Sequence, residues 1–430
     1  MYHPVLRPRA QQHLQRIGQV DLVIGLPTYK NADSAVDVAQ TALTGAACHY
    51  PHLRVALINA DAGQPASTRR AIATQISANS YACEVVTGRY EGLLGYGSAS
   101  AAVLDAALAL DAKAIVILDP ANQTITPAWL AGLAQLILAD KSDLVLPRYQ
   151  WSLAAPGSIL SDLIVYPLFR ALWGRSARHP AALDFALSPR LATAILDEDV
   201  WATEVAAFGL SPWLAGYAVV NQWRVAQSAL GEKRTSLDML LATDQKSQLK
   251  RLNAHFKAQF YNTVSVLLRQ VDRYRAHWEQ VNSFNSLSTL TEFASPVEPA
   301  GMIEPDPAPL LDRLALGWIE YRALWQRVLA PDNLVHLEAL ATLPPDRFYF
   351  PSDLWARIVY DFAVVFNKGD ADPVKIVKSL YPIYQGRQAA FWQEIAGLSA
   401  VGREGTISAQ AVEFEESRPY LKKRWQTYRP

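Results

Sequence analysis

Short runs of apolar residues alternate with segments of helical pattern along the first 150 residues of this chain. Such runs, without polar alternation, are typical of strands buried on both faces, and the helices between them predict a mostly parallel sheet covered on both sides. We therefore predict an α/β fold. The runs occupy residues 21–26, 54–59, 83–86, 114–118 and 143–147.

Ligands of parallel sheets bind beyond the carboxyl ends of the strands. Polar or glycine-rich segments follow several of the predicted strands, so one edge of the sheet should collect them. By this interpretation that edge holds Asn31, Asp61, the loop at residues 95–97 and Asp119.

Composition excludes several classes of function. Lys and Arg together number 40, as do Asp and Glu, so no overall field favours nucleic acid. Two cysteines in 430 residues predict a reducing compartment without disulfides. The N-terminus lacks a signal peptide pattern, and no apolar run approaches the ~20 residues of a membrane helix. We expect a cytoplasmic protein with no transmembrane segment.

The sequence changes character near residue 240. Helical periodicity with mixed polar and aromatic residues replaces the alternation of strands and helices. We predict two domains, at residues 1–240 and 241–430, the second helical with a Pro/Ser/Thr-rich loop near 285–309.

Asp119 directly follows the apolar run 114–118, and a carboxylate in that position requires a partner or a metal. A metal that holds a nucleotide diphosphate is usually bound by two carboxylates close together, often in the pattern Asp-x-Asp. In this chain the residue two positions after Asp119 is Ala121. The alternative is that Asp119 caps its own turn through backbone N–H groups, which Pro120 and Asn122 favour.

The other candidates each have two interpretations. The glycines at 95 and 97 could cradle phosphate on backbone N–H groups or let a helix pack close to a strand. Asp61 could bind a base or ribose, or serve as a turn carboxylate. His179 could reach a phosphate, although a buried or surface histidine is commoner, and the other histidines, including His255, show no metal-ligand spacing.

Several segments in order resemble bacterial GT-A-fold glycosyltransferases of the glucosyl-3-phosphoglycerate synthase and mannosylglycerate synthase type. The resemblance implies a GT-A domain, residues 1–240, that binds a nucleotide diphosphate sugar. It also implies retaining transfer to a small anionic acceptor, glycerate or 3-phosphoglycerate, with Mg²⁺ or Mn²⁺, and a homo-oligomer. The segments are residues 25–31, 59–63, 92–98, 118–129, 166–175, 208–213 and 354–363.

The resemblance also assigns site residues. Asp184 and Lys233 fall at catalytic positions, and Asp119 at the first metal carboxylate. Because cationic side chains can replace a metal at a diphosphate, Lys233, Arg175 and Arg178 are candidates for the phosphates. The nucleotide-sugar-binding positions are Pro27, Tyr29, Asn31, Asp61, Gly95, Gly97 and Asp119.

Other family positions are changed in this chain. Mg²⁺ and Mn²⁺ bind carboxylate oxygens, so losing one carboxylate and one imidazole leaves about one protein ligand, Asp119. The changed positions are Tyr96 for a lysine, Ala121 and Ser211 for aspartates, Ala182 and Ala186 for glycines, and Thr235 for a histidine.

Three functions stay open at this point. The chain is a glycosyltransferase without a tightly held metal or with an altered donor or acceptor. Alternatively, it is a catalytically inactive relative that binds a nucleotide, a sugar or a protein partner. The third hypothesis is a structural component of an oligomer.

Overall fold

The computed structural model of this chain describes residues 3–28, 32–63, 66–78, 83–151, 156–235, 246–293 and 306–430. These residues form two compact units. The first comprises residues 1–155, 177–262 and 286–298, and the second residues 156–176, 263–285 and 299–430. The predicted domain boundary at residue 240 lies outside the described residues.

An eight-stranded sheet forms the centre of the first unit, in the order β3-β2-β1-β4-β7-β5-β8-β10. All neighbouring strands are parallel except β7, which is antiparallel to both neighbours. The predicted α/β class with a mostly parallel sheet is therefore confirmed. The strands are β1 Leu22–Thr28, β2 Val55–Asp61, β3 Cys83–Gly88, β4 Ala114–Ile117, β5 Leu144–Trp151, β6 Arg175–Ser176, β7 Phe185–Leu187, β8 Val225–Lys233, β9 Asn285–Ser286 and β10 Thr289–Leu290.

The helices follow the strands closely in the first unit and dominate the second, so the predicted helical C-terminal part is also confirmed. They are α1 Pro8–Ile17, α2 Ala32–His49, α3 Ser67–Ala78, α4 Tyr96–Ala109, α5 Pro127–Leu138, α6 Pro156–Leu160, α7 Tyr166–Trp173, α8 Pro189–Leu196, α9 Leu210–Val220, α10 Lys246–Arg273, α11 Arg275–Trp278, α12 Ala308–Val328, α13 Pro331–Ala341, α14 Ser352–Lys368, α15 Pro373–Ile395, α16 Ala400–Glu416 and α17 Arg418–Thr427.

The central strands are buried along their whole length. Every residue of β1, β2 and β4 is buried, because helices cover both faces of the sheet. On one face, α2 and α5 pack together over a core that includes Trp129 and Leu130. Helix α5 begins at Pro127 behind Thr126, as the sequence predicts for a proline at the first helical position.

Strand β8 corrects a sequence prediction that matters for the site. The sequence of residues 230–233, which contains Gly231, predicts a turn, but β8 continues to Lys233. Its pairing with β5 shifts by one residue at Leu230, and Gly231 takes the left-handed φ of 81°. This is a β-bulge, a device that redirects the side chains beyond it.

Strand β7 was not among the strands predicted from apolar runs. It comprises Phe185–Leu187 and lies antiparallel between β4 and β5. Within the segment 182–186, Ala182 and Ala186 are buried in the core of the sheet.

Two further segments depart from prediction. The apolar residues 159–174 predict one continuous helix, but the π-helical turn Ser161–Val165 interrupts it. Part of the predicted loop 285–309 forms β9 and β10, while residues 294–305 lie outside the described residues. Among the described helices, none combines the length and apolar character needed to cross a membrane.

Candidate functional site

Asp119 lies just beyond β4, at the carboxyl edge of the sheet, and its side chain is largely buried. One carboxylate oxygen, Oδ1, accepts a hydrogen bond of 2.9 Å from the N–H of Ala121. The backbone N–H of Asn122 donates to the Asp119 carbonyl at 3.1 Å. The turn-capping role that the sequence left open is therefore present, and it uses half of the carboxylate.

The other oxygen of Asp119, Oδ2, lies 2.9 Å from the ammonium Nζ of Lys233 at the end of β8. The same ammonium forms an ion pair with Oδ2 of Asp184, and the Lys233 side chain is only 2% exposed. One buried lysine therefore joins the two carboxylates that the sequence analysis selected separately.

Asp184 precedes β7 and is completely buried. Its Oδ1 accepts a hydrogen bond of 2.8 Å from the backbone N–H of Asp119. Its Oδ2 accepts from the Tyr149 hydroxyl as well as from Lys233. We call Asp119, Tyr149, Asp184 and Lys233 the strand-end cluster, because all four come from strands or strand ends of one sheet.

Burial and charge act against each other in the strand-end cluster. Burial raises the pKa of Asp184, an effect that Lys233 opposes and Asp119 reinforces. Burial alone would lower the pKa of Lys233, but the carboxylates of Asp119 and Asp184 outweigh it and raise that pKa. Lys233 is thus a charged ammonium at neutral pH, held in place by its two partners.

The residues of the cluster do not fit a divalent metal ion. Both oxygens of Asp119 and both of Asp184 already accept hydrogen bonds or pair with the ammonium. Ala121 and Thr235 supply no charged ligand. Across the part of the chain that the structure describes, no group of three or more His, Cys, Asp or Glu residues is placed to hold a metal.

Asp61 ends β2 on the same edge. Its Oδ1 accepts hydrogen bonds of 3.0 Å from the Thr28 hydroxyl and from the N–H of Gly63, and Oδ2 lies 3.6 Å from Nε of Arg69. These contacts tie the ends of β1 and β2 together and show the turn role directly.

The proposed loop around β1 is only partly described. Pro27 is a buried residue of β1 itself. Tyr29 and Asn31 lie outside the described residues. The nucleoside-binding positions at the end of β1 therefore stay predictions.

The glycines at 95 and 97 are engaged by the protein itself. The N–H of Gly95 donates to the Tyr90 hydroxyl at 2.9 Å, and that of Gly97 to the Ala207 carbonyl at 2.8 Å. A Cβ at Gly97 would lie 1.9 Å from the carbonyl oxygen of Val205. The structure therefore shows close backbone packing at these glycines.

Tyr96 lies between these glycines, at the first residue of α4. Its hydroxyl donates to the carbonyl of Leu183, the residue before Asp184. It thus fixes the approach of the chain to the strand-end cluster and brings no positive charge.

The basic candidates differ in burial. Arg175 is exposed and belongs to the second unit, whereas Arg178 is largely buried in the first. His179 is buried, and its Nδ1 accepts a hydrogen bond of 3.1 Å from the backbone N–H of Tyr149. Burial and nearby cationic side chains hold the pKa of His179 well below its usual value, so its ring is a neutral acceptor.

Sequence reasoning missed two members of this region. Tyr149 lies beyond the predicted end of the fifth strand, yet its ring stacks on Trp129 at 5.4 Å and its centroid lies 5.0 Å from the Lys233 ammonium. His255 of α10 lies within electrostatic range of Asp119, whose charge opposes the lowering of the His255 pKa by burial. Extending the apolar alternation beyond Pro147 would have included Tyr149, but no sequence signal marked His255.

No protein-family model matches this chain, and no curated protein matches its sequence. Solved structures of glucosyl-3-phosphoglycerate synthase from Mycobacterium tuberculosis are similar to it in fold. The complex with phosphoglyceric acid has a TM-score of 0.41 and 16% identity, covering 61% of this chain and 84% of that chain. The complex with Mn²⁺, uridine diphosphate and phosphoglyceric acid has a TM-score of 0.41 and 17% identity, covering 60% and 82%.

Proposed function

We propose that the first unit is a glycosyltransferase-type domain that binds a nucleotide diphosphate sugar without a resident divalent metal. The observation that carries this proposal is the ammonium of Lys233, which lies against Asp119 at the carboxyl edge of a parallel sheet. That edge is where sheets of this class bind their ligands.

The register of the strands supports a common edge. Thr28 pairs with Asp61 at the ends of β1 and β2, and Gly25 pairs with Ile117, two residues before Asp119. The three strand ends therefore lie side by side. Polar groups from separate strands can then contact one ligand, as a nucleotide diphosphate requires.

A departing nucleotide diphosphate needs a positive charge, and a cationic side chain in a site with little water can supply it. Lys233 is the cation at the strand-end cluster. In this proposal Lys233 binds and stabilises the diphosphate, while Asp119 and Asp184 fix the position of the ammonium. The acceptor is a small anion such as glycerate or 3-phosphoglycerate.

Calorimetric titration of the full chain tests the proposal, with uridine and guanosine diphosphates as probes. We expect one of them to bind with the same affinity in EDTA as in Mg²⁺ or Mn²⁺. Binding that requires the metal would overturn the metal-free site. If neither probe binds under any of these conditions, the nucleotide-binding function itself is wrong.

A second candidate is a relative that binds the nucleotide or sugar without turnover. It is favoured by the complete pairing of the carboxylate oxygens, because both oxygens of Asp119 and of Asp184 already have partners within the protein. Release of nucleotide from a bound sugar donor in the presence of 3-phosphoglycerate distinguishes the two. Turnover that Asp119→Ala abolishes, and exposed Asp140→Ala preserves, supports the enzyme; binding without turnover supports this second candidate.

The predicted cytoplasmic location and homo-oligomeric state stay predictions.

A further inference from the structure

We infer that the ammonium of Lys233 is a built-in counter-ion in the place of a divalent cation, and that removing it converts Asp119 and Asp184 into a divalent-metal site. This deepens the proposed function, on which it rests for the identity of the site. Metal binding can be measured without nucleotide, so the two proposals can fail separately.

The geometry of the two carboxylates is the first support for this inference. Asp119 Oδ2 lies 2.9 Å from Nζ of Lys233, and Asp184 Oδ2 pairs with the same atom. The N–H of Asp119 also donates to Asp184 Oδ1 at 2.8 Å, which fixes one carboxylate against the other. Two carboxylate oxygens therefore converge on one compact positive charge, and a hard divalent cation selects oxygens of this kind.

The backbone hydrogen bonds around Lys233 are the second support, because they fix the position of the ammonium. The Thr124 hydroxyl donates to the Glu232 carbonyl at 2.8 Å and accepts from the N–H of Arg234 at 3.0 Å. The N–H of Gln123 donates to the Arg234 carbonyl at 2.8 Å. The residues on both sides of Lys233 are thus fastened to the turn that follows Asp119, so the ammonium is positioned by the fold.

The burial of Lys233 and Asp184 is the third support for this inference. Lys233 is 2% exposed and Asp184 is completely buried, so neither carboxylate can exchange the ammonium for bulk water. A truncated lysine leaves two buried carboxylates with no compensating charge, which is a strongly unfavourable state. A divalent cation restores the balance with the oxygens already in place.

The test measures Mn²⁺ binding to the full chain without nucleotide. The electron paramagnetic resonance signal of free Mn²⁺ reports how much of the ion remains unbound. Lys233→Ala is the variant, and Lys113→Ala is the matched control, since Lys113 pairs with Asp21 at an exposed position. We expect Lys233→Ala to bind one Mn²⁺ at least about tenfold more tightly than the wild type and the Lys113→Ala control. Adding Asp119→Asn to Lys233→Ala should abolish the gain.

Equal Mn²⁺ affinity of the wild type and Lys233→Ala overturns the inference, as does a folded Lys233→Ala that binds none. If Lys233→Ala is unfolded in EDTA, Mn²⁺ should restore its circular dichroism spectrum where Na⁺ at equal ionic strength does not. Failure of that rescue also overturns the inference. A gain of Mn²⁺ binding in a protein that binds no nucleotide would refute the proposed function alone.

Discussion

The two ends of the central sheet each pair carboxylates with basic residues, but in opposite surroundings. At the amino ends of β5 and β8, Asp143 accepts from Arg224 Nε at 2.7 Å and from Arg190 at 2.9 Å, and both arginines are substantially exposed. At the carboxyl ends, Lys233 pairs with Asp119 and Asp184 almost entirely out of water.

The pKa values of the carboxyl groups record this difference. Hydrogen bonds from Arg224, Ser188 and Arg190 outweigh burial and lower the pKa of Asp143 to about 2. Burial dominates for Asp184 and raises its pKa. The amino end therefore holds its carboxylate ionised at little cost, whereas the carboxyl end carries the desolvation cost of a buried ion pair. A costly arrangement at the carboxyl edge of the sheet is more consistent with function than with stability.

Lys233→Met should give the largest effect, because it leaves two buried carboxylates unpaired. We expect a loss of roughly 3–5 kcal/mol in the free energy of unfolding, measured by urea denaturation at pH 8 in EDTA. Lys113→Met is the control at the amino end, where the lysine side chain is 65% exposed. Equal losses in the two variants would remove the contrast between the two ends.

Gly97→Ala should come next, since it places a Cβ 1.9 Å from the Val205 carbonyl oxygen beside the carboxyl end. Shifting the backbone should cost roughly 1–3 kcal/mol. Gly405→Ala is the control in α16, where nothing lies within 4 Å of the added atom, and urea denaturation compares the two. An unchanged free energy of unfolding in Gly97→Ala would contradict close packing at Gly97. It would favour the alternative that backbone N–H groups of this loop bind phosphate.

His179 should make the carboxyl end sensitive to mild acid. Its pKa in the folded protein is lowered, so below about pH 6.5 the unfolded chain binds a proton that the folded chain does not, and stability falls by about 1.4 kcal/mol per pH unit. His179→Gln should flatten the decline between pH 6.5 and 5 in urea denaturation. His13→Gln, at an exposed position, should leave the decline unchanged; identical curves for all three proteins would refute the neutral acceptor role.

Asp143→Asn should destabilise the protein at neutral pH and lose this effect in stronger acid. The pKa of Asp143 is lower in the folded chain than in the unfolded chain, where it is about 3.9. Its charged carboxylate therefore stabilises the folded wild type above about pH 3.9, and this contribution disappears as pH falls toward about 2. The difference in thermal midpoint between the wild type and Asp143→Asn should therefore be smaller at pH 3 than at pH 5. A constant difference would mean that the arginines do not depend on the charge of Asp143.

Local pattern predicted strands β1 to β5 of the sheet, because buried parallel strands are continuous apolar runs. It also selected Asp119, while the family resemblance selected Asp184 and Lys233, but neither predicted that the three side chains meet. Asp184 and Lys233 are 49 residues apart, and their contact depends on the antiparallel direction of β7 and on the bulge in β8. Neither feature has a local signature, and Gly231 indicated a turn instead.

Tyr149 was missed for a related reason. Pro147 marks the end of a strand by ordinary rules, since proline cannot donate to the ladder. Strand β5 nevertheless continues through Tyr149 to Trp151, paired with β8 along the way. The residue that caps the strand-end cluster therefore lay outside the predicted strand.

The bulge at Leu230 determines the sign of the charge at this edge. In an unbroken ladder Leu230 would pair with Tyr149, and Glu232 would take the place opposite Trp151 that Lys233 now occupies. The edge would then present a third carboxylate in place of an ammonium. A single extra backbone residue, with no change in any side chain, thus decides which charge β8 presents beside Asp119 and Asp184.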